Sequence, residues 1–327
     1  MSWLDRYLAP QKSAWQGRPD SPPASCFFQL IHLLDMRQPI TPSTQPAFAF
    51  IGFCCDEGIR RNCGRTGAVE GPLAIRNALA KLPLQRASVH CYDAGDITCT
   101  DQGLEAAQTA LSEVITLLLQ HHFTPIVLGG GHELAWGHYQ GITRSTQNEV
   151  GIVNVDAHLD MRPLLPGNKG SSGTSFLQMA NANQQAKREF HYYCLGLQHA
   201  SNTAALLKTA EHHHAKVLYA DHMLSEQYLT PFIQRILSEN AFLYLSLCLD
   251  VFATAYAPGV SAPQALGITP WQVIPLLRQL AASQKMLSYD IAELSPPHDP
   301  DQRTAKLAAN LIYEIIHHHQ PVSREHT

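Results

Sequence analysis

The stretch Val150-Gly-Ile-Val-Asn-Val-Asp-Ala-His-Leu-Asp-Met-Arg162 decides how the chain is read. Its first half is a short apolar run rich in β-branched residues, the composition of a strand covered on both faces. Its second half carries two carboxylates and an imidazole at alternate positions. Side chains two apart on an extended chain point the same way, so Asp156, His158 and Asp160 can converge on one centre where the strand leaves its sheet. Oxygen and imidazole nitrogen suit manganese, and less selectively zinc or iron, better than a metal that seeks thiolate. The same residues also fit a polar strand end that caps a following helix, and spacing alone does not separate the two.

Outward from this stretch, composition narrows the class. A chain of 327 residues with 45% hydrophobic and 15% charged residues is within reach of one large α/β domain with an extensive core. A net charge of −4 without a basic block argues against nucleic-acid and membrane-surface partners and leaves a soluble globular protein, the small-molecule substrate following only from the resemblance below. The start, Met1-Ser-Trp-Leu-Asp-Arg-Tyr-Leu-Ala-Pro10, lacks the basic and apolar regions of a signal peptide. No apolar run approaches the roughly 20 residues of a membrane span, so a cytoplasmic protein is expected. The eight cysteines form no C-x-x-C pair and several lie in apolar runs, which argues against disulfides.

Residues 1–45, rich in Pro, Ser and Gln, read as an arm packed on a main domain spanning 46–327, with one amphipathic piece at Cys26–Leu34. From Ala47 short apolar runs alternate with helical patterns, the signature of βαβ units around a parallel sheet. Eight strands are expected, at Phe48–Cys54, Val89–Tyr92, Pro125–Leu128, Gly151–Val155, Phe190–Leu195, Lys216–Tyr219, Phe242–Leu249 and Met286–Asp290. Helical patterns cover Pro72–Ala80, Leu104–Gln120, Glu133–Gly141, Thr203–His213, Tyr228–Leu237, Pro270–Ala281 and Thr304–His317. Ligands of open parallel sheets gather beyond the carboxyl ends of the strands, and here those ends are polar. They supply Gly129-Gly-Gly-His132-Glu133, the acidic cluster already quoted, Cys248-Leu-Asp250 and Asp290-Ile-Ala-Glu293. The histidine triplets at 212–214 and 317–319 sit near helix C-termini, where the macrodipole favours them, and consecutive helical residues do not face one centre.

Taken together, G-G-G-H-E (129–133), D-A-H-x-D (156–160), S-x-x-x-D followed by A-P-G (Ser246, Asp250, Ala257–Gly259) and D-I-x-E (290–293) resemble the ureohydrolase family of arginases, agmatinases and formimidoylglutamases. Asp93-Ala-Gly-Asp96 resembles a further signature, and the likeness runs from Ala47 to His317. It implies a three-layer α/β/α sandwich around an eight-stranded, mainly parallel sheet. It also implies two Mn2+ ions per chain, with His132 and Asp160 on one, His158 and Asp250 on the other, and Asp156 bridging. Asp160 would in addition move a proton, and Glu293 would bind the reacting end of the substrate. Members of the family are commonly oligomers, so a homo-oligomer is expected.

Within the family the chain looks most like the formimidoylglutamases, which hydrolyse N-formimino-L-glutamate to L-glutamate and formamide in histidine breakdown. Arg162 stands where arginases carry Asn for the substrate's carboxylate, and a guanidinium there can grip a carboxylate in a bidentate pair. Ser171-Ser172-Gly-Thr-Ser-Phe176 resembles that subfamily's loop, with Phe176 where arginases place a histidine. Gly58-Ile-Arg-Arg-Asn-Cys-Gly-Arg65 and Cys194–Gln198 with Ser201-Asn202 match it too, and Arg60, Arg61 and Arg65 are candidates for the anionic substrate, each with a structural role as the alternative. The departure is Cys248, where the common pattern has a bridging Asp; a thiolate between two divalent ions can replace it, though it is softer than manganese prefers. Two other readings stand beside this one: a guanidino hydrolase of the agmatinase or arginase type, and a non-catalytic member with an incomplete metal site.

Overall fold

The computed structural model describes residues 2–86 and 88–322; residues 323–327 of the expected main domain lie outside them. Ten strands run among the described residues: β1 (Tyr7–Leu8), β2 (His32–Leu33), β3 (Ala47–Cys54), β4 (His90–Thr98), β5 (Thr124–Leu128), β6 (Val150–Val155), β7 (Tyr192–Leu197), β8 (Lys216–Tyr219), β9 (Phe242–Cys248) and β10 (Met286–Ala292). They form one sheet in the order β1-β4-β3-β5-β10-β9-β6-β7-β8, with β2 also paired to β4. Every pairing is parallel except β1 with β4.

All eight expected strands are present. The expected count of eight is corrected to ten because the arm adds two strands of two residues at the β4 edge, too short to show any period. The arm is held by more than its edge pairing. Trp15 is buried and its indole Nε1 donates to Asp93 Oδ2 at 2.7 Å, while Phe27 and Ile31 enter the core. The amphipathic piece expected at Cys26–Leu34 divides into a one-turn helix, α1 (Phe27–Leu30), and β2.

Alternation along the strands builds two cores. Phe48 and Phe50 of β3 point to one face and Ala47, Ala49, Ile51 and Phe53 to the other. On the first face pack α3 (Gly71–Leu79), α8 (Glu226–Glu239), α9 (Pro270–Ala282) and α10 (Arg303–His318). The second is covered by α4 (Leu104–Gln120), α5 (Leu134–Ser145), α6 (Ser175–Gln185) and α7 (Ala204–His212). The result is the three-layer α/β/α sandwich. Two helices were not expected: the short α2 (Glu57–Arg61) and α6, whose sequence Ser-Phe-Leu-Gln-Met-Ala-Asn-Ala-Asn-Gln-Gln carries too few apolar residues for a clear stripe.

The Asp93–Asp96 signature is spent on the fold. Both carboxylates grip the buried guanidinium of Arg76 on α3, at 2.8 and 2.6 Å, and so tie the helix to β4. The histidine triplet at 317–319 is likewise structural. His317 and His318 turn Nδ1 to carbonyls of their own helix, and His319 is buried against Phe48 with Nδ1 2.8 Å from the Tyr289 hydroxyl. Burial, then the neighbouring Arg86, lowers the His319 pKa to about 3. An unfolded histidine titrates near 6.5, so between these values the unfolded chain takes up a proton that the folded one refuses. Its contribution is therefore complete above about pH 6.5 and shrinks as pH falls toward 3, by several kcal/mol in all. In urea titrations at pH 7, 6 and 5, His319→Asn is expected to lose less stability with acidification than the parent chain; parallel pH slopes would contradict this.

Candidate active site

The order β5-β10-β9-β6 places four strands side by side whose connections run through the whole chain. Their carboxyl ends are the four polar segments singled out from sequence. The chain fills outward on one side through β3 and β4 and on the other through β6, β7 and β8, so the strand order reverses across this crevice. The glycines after β5 allow the close approach. A Cβ on Gly129 would strike the Ile291 carbonyl oxygen, and one on Gly130 that of Cys55. Gly130 in turn accepts from the Glu293 N–H at 2.8 Å, which knits the end of β10 to the loop that presents His132.

His132 is buried, with Nδ1 2.9 Å from Oδ2 of Asp156 and 2.9 Å from Oδ2 of Asp160, yet this nitrogen has no hydrogen-bond partner. On the other side of Asp156, His158 Nδ1 lies 3.4 Å from Asp156 Oδ1 and 3.2 Å from Asp250 Oδ2. In this cluster two sets of three ligand atoms each lie within 4.8 Å of one another: His132, Asp156 and Cys248, and Asp156, His158 and Asp250. Asp156 belongs to both. Asp160 and Glu293 are held at φ +46° and +76°, where non-glycine residues pay strain of order 1–3 kcal/mol and which clusters at functional sites.

Charge in this cluster does not balance without a cation. Burial disfavours the ionised form of every carboxylate, but the imidazoles of His132 and His158 hold Asp156 well below its ordinary range. Burial and then Asp156 push Asp160 up; for Asp250 burial again leads, with Asp156 acting in the same direction against His158. Conversely, although burial opposes it, Asp250 and Asp156 hold His158 up to about 12, and Asp156 and Asp160 hold His132 well above its usual value. The Cys248 thiol is pushed up by burial and by the surrounding carboxylates. Carboxylates exceed imidazoles here, His132 Nδ1 and Asp250 Oδ1 are buried without partners, and the donors are oxygen, imidazole nitrogen and one sulfur. This set fits a pair of divalent cations, and their charge would displace the protons the cluster otherwise retains.

A cavity of about 260 Å3 opens onto the cluster, bordered by His132, His158, Asp160, Cys248, Asp250 and Glu293, with Asn62, Arg162, Ser172, Ser201, Asn202 and Ser261 also in its wall. The Arg162 guanidinium has no hydrogen-bond or ion-pair partner among the described residues, while its stem lies against Gly173. Glu293 is buried, accepts from the His132 backbone N–H at 2.8 Å through Oε1 and from the Ser261 hydroxyl through Oε2. Burial, with Asp250 next, raises its pKa to about 7.

Other candidates fall elsewhere. Arg65 is not at the cavity: its Nη2 donates to the carbonyls of Val260 and Pro258, because a guanidinium on an exposed loop finds carbonyl acceptors before any substrate arrives. Arg60 and Arg61 are paired with Glu57, and Arg61, held also by Glu105 and the Gly170 carbonyl, braces the loop carrying Ser172. Ser171 is buried behind Ser172, its N–H donated to Thr174 Oγ1 at 2.9 Å. Phe176 packs its ring at 5.4 Å, edge to face, beside His132 and stacks on Tyr192. The sequence reading missed Ser261, which lies two residues past Ala-Pro-Gly259 and shows only once that loop folds over Glu293.

Comparison with known proteins agrees with this geometry. The model of the Arginase family matches residues 46–318. A formimidoylglutamase from Legionella pneumophila is 41% identical over 315 residues, covering 96% of this chain and 98% of the relative. One from Geobacillus kaustophilus is 39% identical over 322 residues, with coverage of 96% and 98%. Among solved structures, a formiminoglutamase from Trypanosoma cruzi crystallised with Mn2+ superposes with a TM-score of 0.75 at 26% identity, covering 83% of this chain and 92% of that one. The chain belongs to the arginase family.

Proposed function

We propose that the protein is a manganese-dependent hydrolase that converts N-formimino-L-glutamate to L-glutamate and formamide, as a step of histidine breakdown. The observation that carries this reading is the uncommitted guanidinium of Arg162 in the wall of the cavity that opens onto the His/Asp cluster. A dicarboxylate with an amidine at its far end fits such a cavity end to end. Identities of 41% and 39% over nearly the full length to proteins named formimidoylglutamase support the same substrate.

In this reading His132, Asp160 and Cys248 would hold one ion and His158 and Asp250 the other, and Asp156, which belongs to both ligand sets, would serve either. When bound, the paired cations supply the charge that polarises water and the amidine carbon. The chain's own groups do the rest. Arg162 grips a carboxylate, with Ser172 beside it and Ser171 supporting the loop from behind. Glu293 accepts from the formimino N–H groups and turns the carbon toward the cluster. As water adds to that carbon, the C–N bond to the glutamate nitrogen breaks. Asp160 carries the water protons to the departing amine, which leaves as the ammonium of glutamate, while the nitrogen of formamide keeps the two protons of the cationic amidine.

The deciding assay supplies manganese-loaded protein with formiminoglutamate and follows formamide, beside urea release from arginine, agmatine and guanidino acids. Formamide without urea is expected; urea alone would place the protein among the guanidino hydrolases, and neither product with no bound manganese would make it a non-catalytic member. Arg162→Ala removes a charge-assisted pair made equally to substrate and transition state, so KM is expected to rise about 10- to 100-fold with kcat little changed. An unchanged KM would take Arg162 out of the substrate site.

The reading extends to the protein's setting. No helix among the described residues is long and apolar enough to cross a membrane. A cytoplasmic enzyme without nucleic-acid or membrane partners, a homo-oligomer whose exposed Leu266 and Trp271 are candidates for subunit contact, and an arm of residues 1–45 completing the sheet of the 46–327 domain belong to the same proposal.

A further inference from the structure

Behind His132, on the side away from the cavity, lies a chain of buried polar groups that the reaction does not touch. His132 Nε2 is 2.8 Å from Ser246 Oγ, and Ser246 donates to Asp290 Oδ1 at 2.6 Å. The other oxygen of Asp290 receives the Tyr244 hydroxyl and His138 Nδ1, the latter at 2.8 Å, and His138 Nε2 meets Ser288 Oγ at 2.5 Å. Ser246, Asp290, His138 and Ser288 are all fully buried. An ionised carboxylate at such depth is costly unless several donors converge on it, as they do here.

We infer that Asp290 is a positioning residue for the ion at His132: through Ser246 it fixes the proton of His132 on Nε2 and leaves the Nδ1 lone pair aimed between Asp156 and Asp160. Ser246 has one hydroxyl proton. Given to Asp290, it leaves the serine oxygen as an acceptor, and the only proton His132 can offer is that on Nε2. The carboxylate also makes the imidazole a stronger donor to a cation, as carboxylates behind metal-bound histidines do. His158 has no such backing. Its Nε2 lies 3.4 Å from the amide nitrogen of Gln264, and among the described residues no carboxylate is paired with that nitrogen. The two ion positions are therefore unequal in their support, and loss of Asp290 acts on one of them.

This inference rests on the metal reading above, and its test separates the two. Mn2+ is titrated into the wild-type chain, Asp290→Asn and Ser246→Ala, with free ion followed by paramagnetic resonance. Wild type is expected to bind two ions. Each variant is expected to hold one as wild type does and the other about 10- to 100-fold more weakly. No bound ion in the wild type would remove the metal reading itself. Two ions held at wild-type affinity in folded variants, or equal weakening of both, would overturn the role of Asp290 alone. Should Asp290→Asn fail to fold, Ser246→Ala removes a single oxygen and breaks the same link. Nitrogen-15 spectra of the Zn2+-loaded wild type supply an independent check: the His132 ring proton is expected on Nε2, and a proton on Nδ1 would overturn the inference.

Discussion

Asp156→Asn is expected to abolish binding of both ions and to lower kcat/KM by about a thousandfold or more, the scale of losing several kcal/mol of transition-state stabilisation from a metal centre. Asp156 is the one carboxylate common to the two ligand sets, with one oxygen toward His132 and the other toward His158. An amide presents one oxygen and one N–H2 group to a space built for two anionic oxygens. It also removes one of the charges that, against burial, keep the imidazoles above their ordinary pKa, Asp250 with Asp156 for His158 and Asp156 with Asp160 for His132. Oδ1 accepts the His158 backbone N–H at 2.7 Å, a bond the amide oxygen can keep, so the turn after β6 is expected to survive. Metal content by mass spectrometry, formamide release and circular dichroism decide the matter. A folded variant retaining two ions and turnover would mean that the cluster is not the metal centre.

Glu293→Gln is expected to lower kcat/KM by about 100- to 5,000-fold while both ions stay bound. Removing one partner of a buried charge pair costs about 3–5 kcal/mol, which converts to a loss of that order. The substitution is nearly isosteric. Its oxygen can still accept from His132 N–H and its amide can donate to Ser261 Oγ, so the frame around His132 is kept. What disappears is negative charge facing the cationic amidine, so the loss is expected in kcat as well as in KM, unlike that of Arg162→Ala. Unimpaired turnover with normal manganese content would show that Glu293 serves only to tie β10 to the His132 loop.

The local signals lay in the letters because they depend on neighbours along the chain. Short continuous apolar runs marked all eight longer strands, and Asp156, His158 and Asp160 could be seen to share a side because alternate residues of an extended chain do. The two-residue strands Tyr7–Leu8 and His32–Leu33 had no such run, since their pairing is decided by β4, which lies far along the chain. The same limit explains the arginines. Arg65 and Arg162 look alike in sequence, yet one meets carbonyls of the folded Pro258–Val260 loop and the other is left with none, and only the tertiary arrangement settles which acceptors a long cationic side chain reaches. Residues 161 positions apart, His132 and Glu293, are hydrogen-bonded because the chain sets β5 beside β10. The sequence by itself determined which groups would stand at the ends of the strands. Which strands would be neighbours, which charges would be neutralised before substrate arrives, and that Asp290 would back His132 through Ser246 were decided by the packing of the sheet, because a hydrogen bond or an ion pair forms with whatever the fold brings within about 3 Å.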